Sequence, residues 1–512
     1  MTHTMFTRAA STLALLAAVT AGSAFAQQAD RPAGPGTNPA ADPVGAQGTT
    51  RAPATPIATA YPDAAAGDGP TTNGYNLSRW AENWTRYSDP AKRDDPIDRL
   101  KYLPITGDGE VYLTLSGEAR LRVNHTTNPN LLESRAQRQD INRLVGGADL
   151  HLGKHFRVYG ELSHGGLSGV ELGNRVATLK NDLIVQQAFV DATADVAGVS
   201  IGARYGRQEF TDGPNLLISS RDNNTIRFVL NGVRAWARGR TVRADIFDFR
   251  LTEYGVGGTG DDLIDHSRRF SGVSTGFVVP KTAFGGSRLY VDPFVWRLRG
   301  DRTLWGTTTA REARNYYGIH AWGDAGPVTI DWTLNHQGGR FDGRPIDAWQ
   351  ALFAQTYRLG KASSAPRVGF HADYASGGGA FGTGTLKSAF SPYGNNIYYS
   401  YQLFATPTNL IAVAPNVTFN PVKSVRVTAE YQWAWRDDVR DAVYRANGTA
   451  FARTQLNDGR KIGEMARLQL VYTITPRLAF TGRYEHLIAG SALTKAGYAD
   501  SDFLAGWLSF RF

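Results

Sequence analysis

The chain contains no cysteine. An exported protein of this composition must hold together without disulfides, and thiolate metal sites and thiol catalysis are excluded as well. It also lacks any apolar run of the about 18 residues that a membrane helix needs, and its mean hydropathy is −0.32. That absence does not touch a membrane β-barrel, whose strands carry apolar residues only at every second position. Helix-like apolar periodicity is scarce along 512 residues, which argues against the about three soluble domains that such a length suggests. Charge is close to balanced, with 55 Lys+Arg against 46 Asp+Glu. No basic block marks a nucleic-acid partner, and none is expected.

What is present begins with a leader. Residues 1–26 carry Arg8, an apolar run from Leu13 to Val19, and Ala24-Phe25-Ala26 before Gln27, the layout of a cleaved signal peptide. Residues 27–74 are rich in Pro, Ala, Gly and Thr and too poor in large apolar residues to offset the cost of ordering, so they read as a disordered periplasmic tether. Aromatic and charged residues first cluster at 75–112, a periplasmic lead-in. The remainder, 113–512, reads as one sheet.

In that remainder Leu113, Leu115, Gly117, Ala119, Leu121 and Val123 share one face, while Thr114, Ser116, Glu118, Arg120, Arg122 and Asn124 share the other. The same alternation recurs where Val425, Val427, Ala429, Tyr431, Trp433 and Trp435 oppose Arg426, Thr428, Glu430 and Gln432. Eighteen such candidate strands run from 113–124 to 502–512, among them 288–299, 313–323, 328–337 and 346–359. Short connections, such as Gly153-Lys154-His155 and Thr475-Pro476, take turns with long ones, such as 207–225, 376–408 and 437–463. Short turns on one side, long loops on the other and an even strand number predict an all-β fold: a transmembrane antiparallel barrel of about 18 strands in a bacterial outer membrane, in contact with its lipid. The chain stops on an alternating strand that ends at Phe512, and closure against the first strand would remove both edges.

If the apolar face meets lipid, the other lines a lumen. There the pattern puts Arg120, Arg122, Arg143, Arg157, Arg204, Arg243, Arg426, Arg436, Arg467 and Arg483, with Arg358, Arg367, Arg477 and Arg511, against fewer acids, among them Glu118, Asp149, Glu161, Asp191, Asp245 and Glu430. A barrel of this size leaves an aqueous channel, and rings of arginine favour anions. Each arginine can equally brace the wall by pairing with an acid. No catalytic set is found: His164, His320, His336, His371 and His486 are scattered without partner spacing, and the glycine-rich stretches 255–260 and 377–379 do not link a strand to a helix. The chain therefore reads as a channel and not an enzyme, with no cofactor and no metal.

The segments Trp80-Ala81-Glu82-Asn83-Trp84, Leu100-Lys101-Tyr102-Leu103-Pro104 and Tyr112 to Arg122, followed by Gly206-Arg207-Gln208-Glu209-Phe210, Asn231-Gly232-Val233-Arg234 and Asp441-Ala442-Val443-Tyr444, resemble the alginate-export outer-membrane channel family. The resemblance runs from about Arg79 to Phe512. It implies a monomeric 18-stranded barrel with an arginine-rich constriction, through which an anionic polysaccharide such as the polyuronate alginate leaves the cell. It also implies periplasmic biosynthesis or secretion proteins as partners. Asn83 and Asn231 stand where the family pattern has Asp. The same wall would serve a porin for diffusion or uptake of small organic anions.

Overall fold

In the computed structural model, which describes residues 72–170, 178–284, 287–362 and 364–512, an 18-strand antiparallel sheet closes into one barrel. The strands in chain order are β1 (Val111–Thr126), β2 (Gln137–Leu152), β3 (Phe156–Val170), β4 (Asn181–Val196), β5 (Val199–Gln208) and β6 (Leu230–Arg238). Next come β7 (Val242–Glu253), β8 (Leu263–Val278), β9 (Arg288–Trp305), β10 (Thr308–Ala325), β11 (Val328–Phe341) and β12 (Arg344–Arg358). The last six are β13 (Arg367–Ala375), β14 (Leu410–Val422), β15 (Val425–Trp435), β16 (Lys461–Thr475), β17 (Leu478–Ala489) and β18 (Ser501–Arg511). Neighbours in sequence pair with one another, and β18 closes on β1 with Phe503 opposite Thr126 and Arg511 opposite Glu118. The expected leader and the expected tether up to residue 71 lie outside the described residues.

On β1, β2 and β3 the alternation runs as the sequence suggests. Leu121, Val123, Leu144 and Val158 are exposed on the outer surface, while Arg120, Arg143 and Arg157 point inward and are buried. Among the described residues no helix is long and apolar enough to cross a membrane. Every backbone donor must then find its partner across the strands, and closure provides this without leaving an edge.

The face code reverses on the loop side of several strands. In β9, Phe294, Trp296 and Leu298 are buried inside, and Val295, Arg297 and Arg299 alternate with them on the exposed surface. In β7, Phe247, Phe249 and Leu251 point inward and Asp248 and Arg250 outward. β9 and β10 are each 18 residues long, well beyond the about 9–11 that a tilted strand needs to cross the bilayer. Their outer parts therefore stand clear of lipid, where the outside is wet and the inside must pack against something.

What they pack against is loop. Residues 209–229 and 376–409 fold into the lumen and meet there, Ile218 bridging to Tyr393. Leu217, Ile218, Tyr393 and Tyr399 pack on Phe247, Phe249, Phe270 and Trp296, so the main hydrophobic core lies inside the barrel. At the opposite end the lead-in enters the short-turn mouth instead of lying beside it. It is a series of short 3-10 turns, Arg79–Ala81, Thr85–Ser88, Pro90–Lys92 and Pro96–Lys101. Pro96 starts the last of these, and Asp95 caps it by accepting from Ile97 and Asp98. Trp80 packs on Tyr159 and Phe189 of the inner wall. The Thr114 hydroxyl donates to the Lys101 carbonyl at 2.8 Å.

Candidate channel interior

Three parts of the chain converge on one charged network. The wall brings Glu118 and Arg120 on β1, Arg143 on β2 and Glu161 on β3; the lead-in brings Arg79; the inward loop after β5 brings Glu209, Asp222 and Arg227. Arg79 lies 2.5 Å from Glu118 and 3.2 Å from Glu161. Arg120 and Arg143 both reach Asp222, at 2.9 and 2.8 Å, and both pair with Glu118. Arg227 joins Asp222 at 3.0 Å to Glu209 at 2.6 Å, and the Ser78 hydroxyl donates to Glu209 at 2.6 Å. All eight charged side chains are buried. Each acid has an arginine, and removing one partner from such a buried set costs about 3–5 kcal/mol.

The other arginines selected from sequence divide into two groups. Arg157 and Arg204 share Asp191 at 3.1 and 2.7 Å, and the Arg204 guanidinium lies 3.7 Å from the Trp80 ring. Arg243 reaches Asp245 at 2.7 Å and Asp212 at 2.8 Å. Arg467 pairs with Glu430 and donates to the Tyr398 carbonyl. Arg436 lies just past β15 and is fully buried, donating to the carbonyls of Val439, Asp441 and Thr454, so it ties down the loop that follows it. Arg122 is different: it holds the Asn124 side chain at 2.6 Å and the Asn223 carbonyl at 2.9 Å, and faces the Trp507 ring. Arg483 donates to Gln469 at 2.5 Å and sits 4.6 Å from the rings of both Tyr401 and Trp507. Arg426, half-buried, projects inward on β15. Among the described residues no carboxylate stands within ion-pair distance of Arg122, Arg358 or Arg426.

Burial pushes the Asp222 carboxyl up, but Arg120, Arg143 and Arg227 outweigh it and hold it well below the usual carboxylate range. Burial raises Glu209, and Arg227 offsets this only in part. Sequence reasoning did not select Arg79 or Asp222, because each lies in a segment without strand periodicity, nor Arg227, which falls in the expected strand 226–238 but precedes the observed strand, which starts at Leu230. Only the charge cluster around Trp80 offered a signal. Among the described residues no group of three or more His, Asp or Glu side chains is placed to hold a metal.

A family model described as alginate export matches residues 111–506. No curated protein matches the chain. Among solved structures, the chain is similar to OccK5 (OpdH) of Pseudomonas aeruginosa, at 11% identity and TM-score 0.51, over 78% of this chain and 98% of that one. It is similar to OccK2 (OpdF) of the same organism in complex with glucuronate, at 12% identity and TM-score 0.50, over 78% and 98%. A BenF-like porin from Pseudomonas fluorescens Pf-5 matches at 12% identity and TM-score 0.51, over 79% and 98%. These likenesses establish the porin fold.

Proposed function

The chain belongs to the alginate-export family, and from that premise we propose that its barrel passes an anionic polysaccharide, an alginate-like polyuronate, out of the cell. Family and fold are those of an outer-membrane channel and not of an enzyme. The observation that carries the anionic substrate is the set of inward arginines, Arg122, Arg358 and Arg426, that have no carboxylate partner among the described residues. A guanidinium in a narrow aqueous passage binds a passing carboxylate with charge-assisted hydrogen bonds, and several weak sites in series let a polymer advance from one to the next. Arg120, Arg143, Arg157, Arg204, Arg243 and Arg467 shape the same path from within their ion pairs, and Arg483 presents its guanidinium between two aromatic rings.

In planar bilayers the channel should prefer chloride over potassium, and replacing Arg122 and Arg426 together with Ser should weaken that preference. An oligouronate added to one side should block current where a neutral oligosaccharide of equal length does not. A preference for potassium in the unaltered protein would sink the proposal. The second reading, a porin for small organic anions, draws support from one relative in fold having been solved with glucuronate. Ready flux of a monouronate with no block by the oligomer would favour it.

A further inference from the structure

The outer surface carries a second basic feature, unrelated to the pore. Arg250 on β7 stands directly opposite Arg269 on β8, Arg269 opposite Arg299 on β9, Arg299 opposite Ala313 on β10, and Ala313 opposite Arg340 on β11. Four of five consecutive strands thus place an outward arginine on one ladder row, at the long-loop side of the barrel. Arg297 adds a fifth, two residues down β9. Like charges set side by side on a sheet face repel. Asp248 compensates Arg269, accepting from its Nε at 2.6 Å. For Arg250, Arg297, Arg299 and Arg340, no carboxylate among the described residues lies within ion-pair distance. Arg250 and Arg340 spend one hydrogen bond each on a backbone carbonyl, of His266 on β8 and of Gly343 in the turn after β11, at 2.7 and 2.8 Å.

Two rows below the arginine row, toward the turn side, the first four of these strands, β7 to β10, present Ile246, Val273, Val295 and Tyr317 on their outer face, all between 45% and 58% exposed. The arginines therefore stand at the upper boundary of the apolar belt, at headgroup height. We infer that this row is a docking surface for a phosphorylated acyl lipid of the outer leaflet, its phosphates on the arginines and its chains on the apolar residues beneath. Charge and geometry both select such a partner. Guanidinium groups bind phosphate in a bidentate manner, and a lipid anion brings the neutralising charge to where the row needs it. A soluble anion would gain nothing from the apolar rows.

The test uses the full-length protein in detergent micelles with hexa-acyl bisphosphoryl lipid A as probe, read by native mass spectrometry. The unaltered barrel should retain the lipid, and the variant carrying Arg250→Gln, Arg297→Gln, Arg299→Gln and Arg340→Gln should bind it at least about tenfold more weakly. Dephosphorylated lipid A should bind the unaltered protein as weakly as the variant binds the intact lipid, and millimolar inorganic phosphate should not displace the lipid. Chloride selectivity should be the same in both proteins, because none of the four side chains faces the lumen, and this also shows that the variant is folded. Equal retention of intact lipid A by both proteins, equal binding of the dephosphorylated lipid, or displacement by free phosphate would each overturn the inference.

Discussion

Lys101 sits in an environment far from what its type suggests. Its ammonium is almost fully buried in the mouth of the barrel, 4.9 Å from the Trp84 ring, with Glu82 at 3.8 Å. Burial pushes it down to about 8, and Glu82 offsets this only in part. Below pH 8 the seated and the released lead-in both carry the proton, so pH has no effect through this group. Between about 8 and the ordinary lysine value the released form holds a proton that the seated form has lost, and seating strengthens as pH rises. Above pH 10 Tyr75, pushed up to about 12 by burial, acts in the opposite sense. A spin label on Arg99→Cys, the sole thiol in the protein, should therefore report a less mobile lead-in at pH 9.5 than at pH 7, and Lys101→Met should remove the difference. An unchanged pH response in that variant would show that another group is responsible. The sequence displayed Lys101 only as part of a family-like segment. It displayed the lumen arginines through their alternation, but not which of them were already paired, since Asp222 and Arg79 reach them from segments that carry no periodicity.

The last strand shows what a single element contributes. Phe510 stands opposite Ala119, Arg511 opposite Glu118, and the backbone of Phe512 exchanges hydrogen bonds with Gly117 at 2.9 and 3.1 Å. The Phe512 ring lies so close over Gly117 that a Cβ there would fall 2.3 Å from it, which accounts for glycine at that position. Deleting Phe510 to Phe512 strips these partners from β1 and also removes the Arg511 contact to Glu82 of the lead-in, 3.2 Å long. Unpaired backbone groups are not tolerated in lipid. The truncated chain should accumulate in the periplasm or be degraded, and fractionation with a heat-modifiability gel would reveal it; normal insertion would contradict closure through β18. Strands of this kind were legible because lipid on one side and water on the other force a two-residue period. Beyond the bilayer that force is gone. The expected strands 288–299 and 313–323 run on to Trp305 and Thr308, and 328–337 and 346–359 extend to a two-residue turn at Asp342-Gly343, where both residues have positive φ. Outward Arg297 and Arg299 and inward Trp296 and Leu298 invert the pattern there, so periodicity persisted while its meaning changed.

At the scale of the molecule the barrel is a wall filled from both ends, by loops from the long-loop side and by the lead-in from the short-turn side. Sequence pattern reveals walls, because walls repeat; it does not reveal what enters a lumen, because residues 74–104 and 209–225 obey no period and their destinations are set by complementary charge. That complementarity seats the lead-in inside the barrel. Arg477 holds it through Asp98 at 2.6 Å, Arg157 through the Trp80 carbonyl at 2.8 Å, and Arg227 through the Leu77 carbonyl at 2.7 Å. In return it contributes Arg79 to a network in which four arginines face four acids. Deleting residues 74–104 leaves every barrel strand intact, widens the mouth, and leaves Glu118, Glu161, Glu209 and Asp222 against Arg120, Arg143 and Arg227 alone. Conductance should rise several-fold, and reversal potentials in a salt gradient should move toward cations. Arg79→Gln separates the two effects, because it removes the charge while the remaining anchors keep the segment seated: selectivity should move with little change in conductance, and Arg79→Lys should restore it. If the deletion left conductance unchanged in a barrel that still migrates as folded, the lead-in would not occupy the path. If Arg79→Gln left the reversal potential unchanged, the network would carry no weight in selecting the solute.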